Sequence, residues 1–169
     1  MTDHTDDIQV LEAALAWLHS GRRVALATGI KTWGSSPRPP GSLLAMNDAG
    51  HFVGSVSGGC VEESLLMRYR DGEIIGAATL IDFGVDRQEA SRMGLPCGGR
   101  LELLVEELTD TDAIMQLLER LRMGELVARS VNLQSGKTSL QPGYAGSEFQ
   151  ITESEVIKTF GPGWQLLME

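Results

Sequence analysis

The chain has 169 residues, 42% of them hydrophobic, and a formal net charge of −9, a size and composition that fit one domain with a substantial core. The acidic balance, without a basic patch, argues against nucleic acid or an anionic membrane as a partner. No apolar run reaches the roughly 20 residues of a membrane span. Residues 1–7 are a polar tail, and two cysteines make no disulfide framework. We therefore expect a cytoplasmic protein with reduced thiols.

Apolar spacing predicts helices and strands in alternation along the chain. Asp7 and Asp110 are expected to cap the two strongest helices, which Gly21 and Gly124 end. The predicted helices cover residues 8–20, 61–69, 86–93 and 111–123. The predicted strands cover residues 24–28, 42–46, 51–55, 74–83, 101–108 and 127–131, with a further strand pair at 137–140 and 148–152. The prolines and glycines of residues 31–41 predict an irregular surface loop.

A weak internal repeat links the two halves of the chain. Residues 14–28 and residues 117–131 share the order helix, glycine, strand, although this order is common in proteins. The second copy lacks the proline-rich loop and the glycine-rich loop that follow in the first copy. If the repeat is real, the scaffold is duplicated and the chemistry lies in the first half.

The segment Ser55-Val56-Ser57-Gly58-Gly59-Cys60 lies between a predicted strand and a predicted helix. Glycines let the backbone approach a ligand closely, and the free N–H groups of a helix N-terminus attract anions, so this loop is a candidate phosphate site. A thiol at such a position is expected to have a lowered pKa. The alternative is a turn in which Cys60 is inert packing.

A second loop, Pro96-Cys97-Gly98-Gly99-Arg100, also places a cysteine beside two glycines. Structural cysteines are more often buried within strands or helices, whereas both cysteines of this chain fall in glycine-rich loops. Arg38 is a candidate clamp for a phosphate or a carboxylate, and the hydroxyls of Ser35 and Ser36 are further donors. The alternatives are two unrelated turns and an ordinary surface arginine.

Other chemistries find little support in the sequence. The three histidines stand in the tail, at a helix end and near a strand start, and no His-Glu-x-x-His or Cys-x-x-Cys pattern indicates zinc. No Gly-x-Gly-x-x-Gly or Walker loop indicates a nucleotide site of those kinds. The pairs Glu62–Glu63 and Glu106–Glu107 are interpreted as solvated charges rather than acid–base catalysts.

Three ordered segments together resemble the XdhC/CoxI family of xanthine dehydrogenase accessory factors. They are Gly34–Arg38 with Gly41, Gly54–Glu62, and Gly94–Arg100. The resemblance implies an α/β fold, a mixed sheet with flanking helices, in a single XdhC/CoxI-type domain at residues 8–162. Many members continue into a C-terminal Rossmann-like domain. Residues 163–169 look like the start of its first strand, so we expect that domain to be absent, in a single-domain member or in a truncated one.

The resemblance implies a carrier of molybdenum cofactor. Family members bind molybdenum cofactor (molybdopterin) transiently. They assist its sulfuration, protection and insertion into a molybdenum hydroxylase of the xanthine dehydrogenase type, together with a cysteine desulfurase. The implied cofactor-binding residues are Gly34, Ser35, Ser36, Arg38, Ser57, Gly58, Gly59, Cys60, Cys97, Gly98, Gly99 and Arg100. Cys60 and Cys97 are the candidate thiols, and either is a candidate contact to the molybdenum of the cofactor. The protein is expected to be a chaperone without turnover of its own and a candidate homodimer.

Two other functions stay open at this point. A cysteine-persulfide sulfurtransferase would need a thiolate at neutral pH, and no flanking histidine or lysine is visible beside Cys60 or Cys97. A non-catalytic structural subunit of an accessory complex would use the glycine loops as turns, with both cysteines silent. Any site that uses both thiols requires the two loops to meet in space.

Overall fold

The computed structural model describes six segments of the chain. They are residues 5–33, 38–57, 61–74, 76–84, 100–144 and 149–161. The helices in these segments are α1 (Thr5–His19), α2 (Glu62–Arg70) and α3 (Thr111–Arg122). The strands are β1 (Val24–Trp33), β2 (Leu43–Asn47), β3 (Phe52–Gly54), β4 (Ala78–Gly84), β5 (Arg100–Leu108), β6 (Val127–Asn132), β7 (Thr138–Pro142), β8 (Phe149–Ile151) and β9 (Glu155–Phe160).

The strands form two sheets in which every pair is antiparallel. The larger sheet has the order β3-β2-β1-β5-β4, and the smaller has the order β7-β6-β9-β8. In the larger sheet, β1 pairs with β2 along its first half and with β5 along its whole length, from Val24 opposite Leu108 to Trp33 opposite Arg100. The register shifts just after Gly29, an irregularity of the kind that bends a strand locally.

The larger sheet is buried on both faces. One face packs against α1 and α3, where Leu11 and Leu117 are fully buried, and the other face packs against α2 through Leu65. The smaller sheet contributes Val131 and Val156 to a third cluster against β1 and β5. Because consecutive residues of a strand face opposite ways, neighbouring residues of β5 enter different layers.

The helix ends agree only in part with the sequence. Asp110 caps α3, as predicted, and accepts a hydrogen bond from the Ala113 N–H at 3.0 Å. The prediction that Asp7 caps the first helix is wrong, because α1 begins earlier and Asp7 lies within its first turn, where its carboxylate pairs with Lys158 at 3.0 Å. The predicted helix at residues 86–93 lies outside the described residues. No helix in the described segments is both long enough and apolar enough to cross a membrane.

The α/β fold with flanking helices is confirmed, but the predicted mixed sheet is corrected to two sheets, because every strand pair in the described segments is antiparallel. Several strand predictions also need correction. Lys31–Trp33, predicted to be irregular, continue β1 because β5 offers them a complete hydrogen-bonding ladder. The strand predicted at residues 74–83 begins only at Ala78. Residues 137–140 and 148–152 contribute to strands, but these strands do not pair with each other: β7 pairs with β6, and β8 pairs with β9, a strand that the sequence analysis missed.

Candidate functional site

The connections that carry the predicted site residues all leave the larger sheet at the same end of its strands. We call this end of the sheet the loop edge. Its anchors are the end of β1 at Trp33, the start of β2 at Leu43, the end of β3 at Gly54, the end of β4 at Gly84 and the start of β5 at Arg100. The connections at this edge are residues 34–42, 55–61 and 85–99. Antiparallel pairing therefore anchors the ends of all three motif-bearing connections at the same end of the sheet.

The loop edge is stepped, because β1, β4 and β5 extend beyond β2 and β3. Leu43, the first residue of β2, lies opposite Thr28 of β1. Beyond this point, the pairing of β1 with β5 continues for four more residues of β5, a length of roughly 13 Å at 3.3 Å per residue. The end of the proline-rich loop folds back over this step. The Gly41 N–H donates to the Gly29 carbonyl at 2.7 Å, and the Gly29 N–H donates to the Ser42 carbonyl at 2.9 Å.

Three of the predicted site residues fall within the described segments. Arg38 is half-buried in the segment that folds back along β1, Ser57 is buried after β3, and the backbone of Arg100 opens β5. The others lie outside the described residues; they are Gly34, Ser35, Ser36, Gly58, Gly59, Cys60, Cys97, Gly98 and Gly99. Within the described segments, no group of three His, Cys, Asp or Glu side chains is placed to hold a metal ion.

A buried carboxylate organises the loop after β3. Glu62, the first residue of α2, is only 2% exposed. Its Oε1 accepts hydrogen bonds from the Ser55 hydroxyl at 2.8 Å and from the N–H groups of Val56 and Ser57 at 2.9 Å each. Its Oε2 accepts from the Ser57 hydroxyl at 2.6 Å and from the Val61 N–H at 3.2 Å. Both ends of the three-residue link between Ser57 and Val61 are thus tied to one side chain.

These hydrogen bonds keep the Glu62 carboxylate ionised. Burial alone would raise its pKa, but hydrogen bonds from Ser57 and Ser55 outweigh the burial and lower the pKa of Glu62 to about 2. The N–H groups of Val56, Ser57 and Val61, in a loop expected to offer free donors to a phosphate, therefore already serve an internal anion.

Two glutamates interpreted from the sequence as solvated charges are buried. Glu62 and Glu106 are each 2% exposed, whereas Glu63 is exposed as predicted. A weak signal for Glu62 is its place in the first helical turn after Ser55 and Ser57, from which a glutamate can reach back to the preceding chain. The signal for Glu106 is its position beside Glu107 in an apolar strand. Because adjacent side chains of a strand point to opposite faces of the sheet, the two glutamates face opposite layers.

An open cleft of about 830 Å³ lies at the opposite edge of the larger sheet, beside the smaller sheet. Glu106 faces it and accepts two hydrogen bonds from Arg129, at 2.8 and 3.1 Å. Glu107 accepts from the Tyr69 hydroxyl at 2.8 Å and from Arg23 at 3.0 Å, and burial together with this carboxylate raises the pKa of Tyr69. Neither carboxylate is left unpaired, and the cleft lies away from the loop edge.

The architecture is an α/β protein of two antiparallel sheets in which the strand ends flanking the three motif-bearing connections lie at one end of the larger sheet, and it has a solved counterpart. The crystal structure of a xanthine dehydrogenase from Bacillus halodurans is similar, with a TM-score of 0.67 and 19% sequence identity. The similarity covers 94% of this chain and 53% of that chain. At this level of identity it shows the fold.

Sequence comparison identifies the family. Residues 17–84, which include the loops at 34–42 and 55–61, match the model of the XdhC and CoxI family. The molybdenum cofactor insertion chaperone PaoD of Escherichia coli (strain K12) is 30% identical over 125 residues, which are 69% of this chain and 37% of that protein. The chain belongs to the XdhC and CoxI family, as its motifs predicted, and spans little more than a third of the length of this relative.

Proposed function

We propose that this protein binds molybdenum cofactor at the loop edge and holds it for insertion into a molybdenum enzyme. The observation that carries the proposal is the anchoring of all three motif-bearing loops at one end of the larger sheet. It is supported by the relative named as a molybdenum cofactor insertion chaperone. A loop cluster on a rigid sheet is a common way of building a binding site.

The residues at this edge match the two ends of the cofactor. Molybdopterin carries a terminal phosphate, and we assign it to Arg38, whose forked guanidinium suits phosphate. The Ser57 loop is a poorer phosphate site, because Glu62 occupies its described N–H groups. Cys60 and Cys97 are left for the dithiolene–molybdenum end. When bound, the cofactor supplies the sulfurated molybdenum centre that the client enzyme uses.

We further propose which enzyme receives the cofactor and which enzyme assists its sulfuration. The client is a molybdenum hydroxylase of the xanthine dehydrogenase type, which receives the cofactor after sulfuration with the help of a cysteine desulfurase. Binding is transient, takes place in the cytoplasm, and involves no turnover by this chain. A homodimer is the proposed state, and light scattering at several protein concentrations would test it.

A chaperone accounts for the loop edge better than a sulfurtransferase does. A persulfide carrier needs a thiolate at neutral pH. No histidine or lysine flanks Cys60 or Cys97 in the sequence to stabilise such a thiolate. A measured pKa of Cys60 well below the usual value for cysteine would favour transfer chemistry instead.

The test is equilibrium binding of isolated molybdenum cofactor under anaerobic conditions. We expect Arg38→Ala to weaken binding by about tenfold or more, since a hydrogen bond to a charged group is worth roughly 1.5–3 kcal/mol. Cys60→Ala and Cys97→Ala should each weaken binding as well, through the lost contact to the molybdenum end. The matched control is Arg22→Ala, because Arg22 is an exposed arginine at the opposite edge of the sheet. Absence of binding by the wild-type chain, or equal binding by all four variants, would contradict the proposal.

A further inference from the structure

We infer that Glu62 is a positioning residue for cofactor binding: its buried carboxylate fixes Ser57 and Val61, the residues on either side of Gly58–Cys60, before any ligand arrives. The inference rests on the proposed function, because it assigns this loop a part in holding the cofactor. Glu62 itself need not touch the cofactor, since both its oxygens are engaged by the protein.

The two carboxylate oxygens have different tasks. Oε1 gathers donors from the chain that leaves β3, namely the Ser55 hydroxyl and the N–H groups of Val56 and Ser57. Oε2 joins the two ends of the loop, because it accepts from the Ser57 hydroxyl and from the Val61 N–H. The Ser57 hydroxyl oxygen also accepts from the Val61 N–H at 2.9 Å, which closes the same link a second time.

Geometry and charge can be separated by substitution. In Glu62→Gln, the carbonyl can still serve the Oε1 partners, but the amide nitrogen that replaces Oε2 is a donor and would face the Val61 N–H. In Glu62→Asp, the charge remains, but the side chain is one methylene shorter and cannot keep both sets of partners. A positioning role therefore predicts that both variants fail, whereas a purely electrostatic role predicts that Glu62→Asp is active.

The experiment uses the full chain and two measurements. The first is the Kd for isolated molybdenum cofactor under anaerobic conditions, and the second is amide hydrogen exchange at Val56, Ser57 and Val61 without ligand. We expect Glu62→Gln and Glu62→Asp each to weaken binding at least tenfold and to exchange these amides at least tenfold faster. Glu63→Gln is the matched control, because this neighbouring glutamate is exposed; it should stay within twofold of wild type.

A further variant controls for weaker binding that results only from a general loss of stability. Ile114→Val removes a methyl group from the fully buried side chain on α3, away from the loop edge, and should lower thermal stability without changing Kd. Should the Glu62 variants not fold, Ser57→Ala removes only the hydroxyl that bridges Oε2 and Val61, and the same tenfold loss is expected.

Each outcome has a defined meaning. Wild-type binding that survives in folded Glu62→Gln, or in Glu62→Asp alone, would overturn the positioning role while leaving the proposed function intact. Wild-type protein that does not bind the cofactor would overturn the proposed function. In that case, rapid exchange of the Val61 amide in wild type would also overturn the claim that Glu62 holds the loop.

Discussion

The Glu62 carboxylate makes the loop after β3 sensitive to acid. Its folded-state pKa of about 2 lies below the ordinary glutamate value of 4.5, so the folded protein binds this proton less readily than the unfolded chain does. A lowered pKa contributes stability that is complete above pH 4.5 and is lost as the pH falls toward 2. The difference between the two values is worth about 3 kcal/mol at 1.36 kcal/mol per pKa unit.

We therefore expect the stability advantage of wild type over Glu62→Gln to shrink by about 3 kcal/mol between pH 6 and pH 2. The measurement is the free energy of unfolding in urea at several pH values, compared with that of Glu63→Gln. An advantage that does not change with pH would mean that the Glu62 hydrogen bonds do not favour the ionised form.

Residue identity suggested a candidate site but did not reveal the hydrogen bonds within it. The glycines and cysteines of the three motifs predicted one functional region, because glycines allow a ligand to approach the backbone closely and structural cysteines are more often buried as small hydrophobic residues. The partners of Glu62 were not foreseen, since a glutamate in a first helical turn is favourable there whether it is solvated or buried. Only the fold shows that Ser55, Ser57 and Val61 converge on it.

At the scale of the elements, Gly54 fixes how β3 ends. Its φ is +97°, a conformation that favours glycine, and a Cβ there would lie 2.3 Å from the Leu43 carbonyl oxygen and 2.7 Å from Val10 Cγ2. The next residue, Ser55, donates its N–H to the same Leu43 carbonyl at 3.0 Å. A side chain at this position would push the start of the Glu62-bound loop away from β2.

We expect Gly54→Ala to lower the free energy of unfolding by at least about 2 kcal/mol, from strained backbone together with the contact to β2. Gly72→Ala is the matched control: Gly72 has a φ of +74°, but a Cβ there meets nothing within 4 Å, so only a conformational cost of about 1 kcal/mol applies. Urea unfolding of both variants measures the difference. Equal costs would show that the Leu43 contact relaxes freely.

The sequence predicted most elements and fewer of their pairings. Helices with a regular apolar face were found to within a few residues, since their period is visible in a single segment. The continuation of β1 through Lys31–Trp33 and the presence of β9 depend on distant partners, β5 and β6, which no local pattern reveals. For the same reason, β7 and β8 were wrongly paired with each other, whereas β6 and β9 lie between them in the sheet.

At the scale of the whole molecule, the two halves share one topological unit. Each has a helix followed by a glycine at φ +83°, Gly21 or Gly124, and then a strand with antiparallel neighbours on both sides. β2-β1-β5 in one sheet corresponds to β7-β6-β9 in the other. The smaller sheet also supports the loop edge, because the Lys158 ammonium on β9 donates to the Gly41 carbonyl and pairs with Asp7.

A buried ion pair joins the two sheets at the opposite edge. Arg129 on β6 binds Glu106 on β5 through two hydrogen bonds, and the two side chains are 7% and 3% exposed. Removing one partner of such a pair leaves the other charged and buried, which costs about 3–5 kcal/mol. Exposed pairs contribute about 0–1 kcal/mol, and Arg120 with Glu125, also at 2.8 Å but 28% and 39% exposed, provides the comparison.

We therefore expect Arg129→Met to lower the free energy of unfolding by about 3–5 kcal/mol and Arg120→Met to lower it by no more than about 1 kcal/mol. Adding Glu106→Leu to Arg129→Met should restore much of the loss, because the unpaired charge is then removed. Urea unfolding of the three variants measures these differences. If Arg129→Met costs no more than Arg120→Met, the sheets are held together by the Val131 and Val156 cluster, and the ion pair sets only their register. A loss that Glu106→Leu rescues would instead identify the unpaired, desolvated carboxylate as the source of the instability.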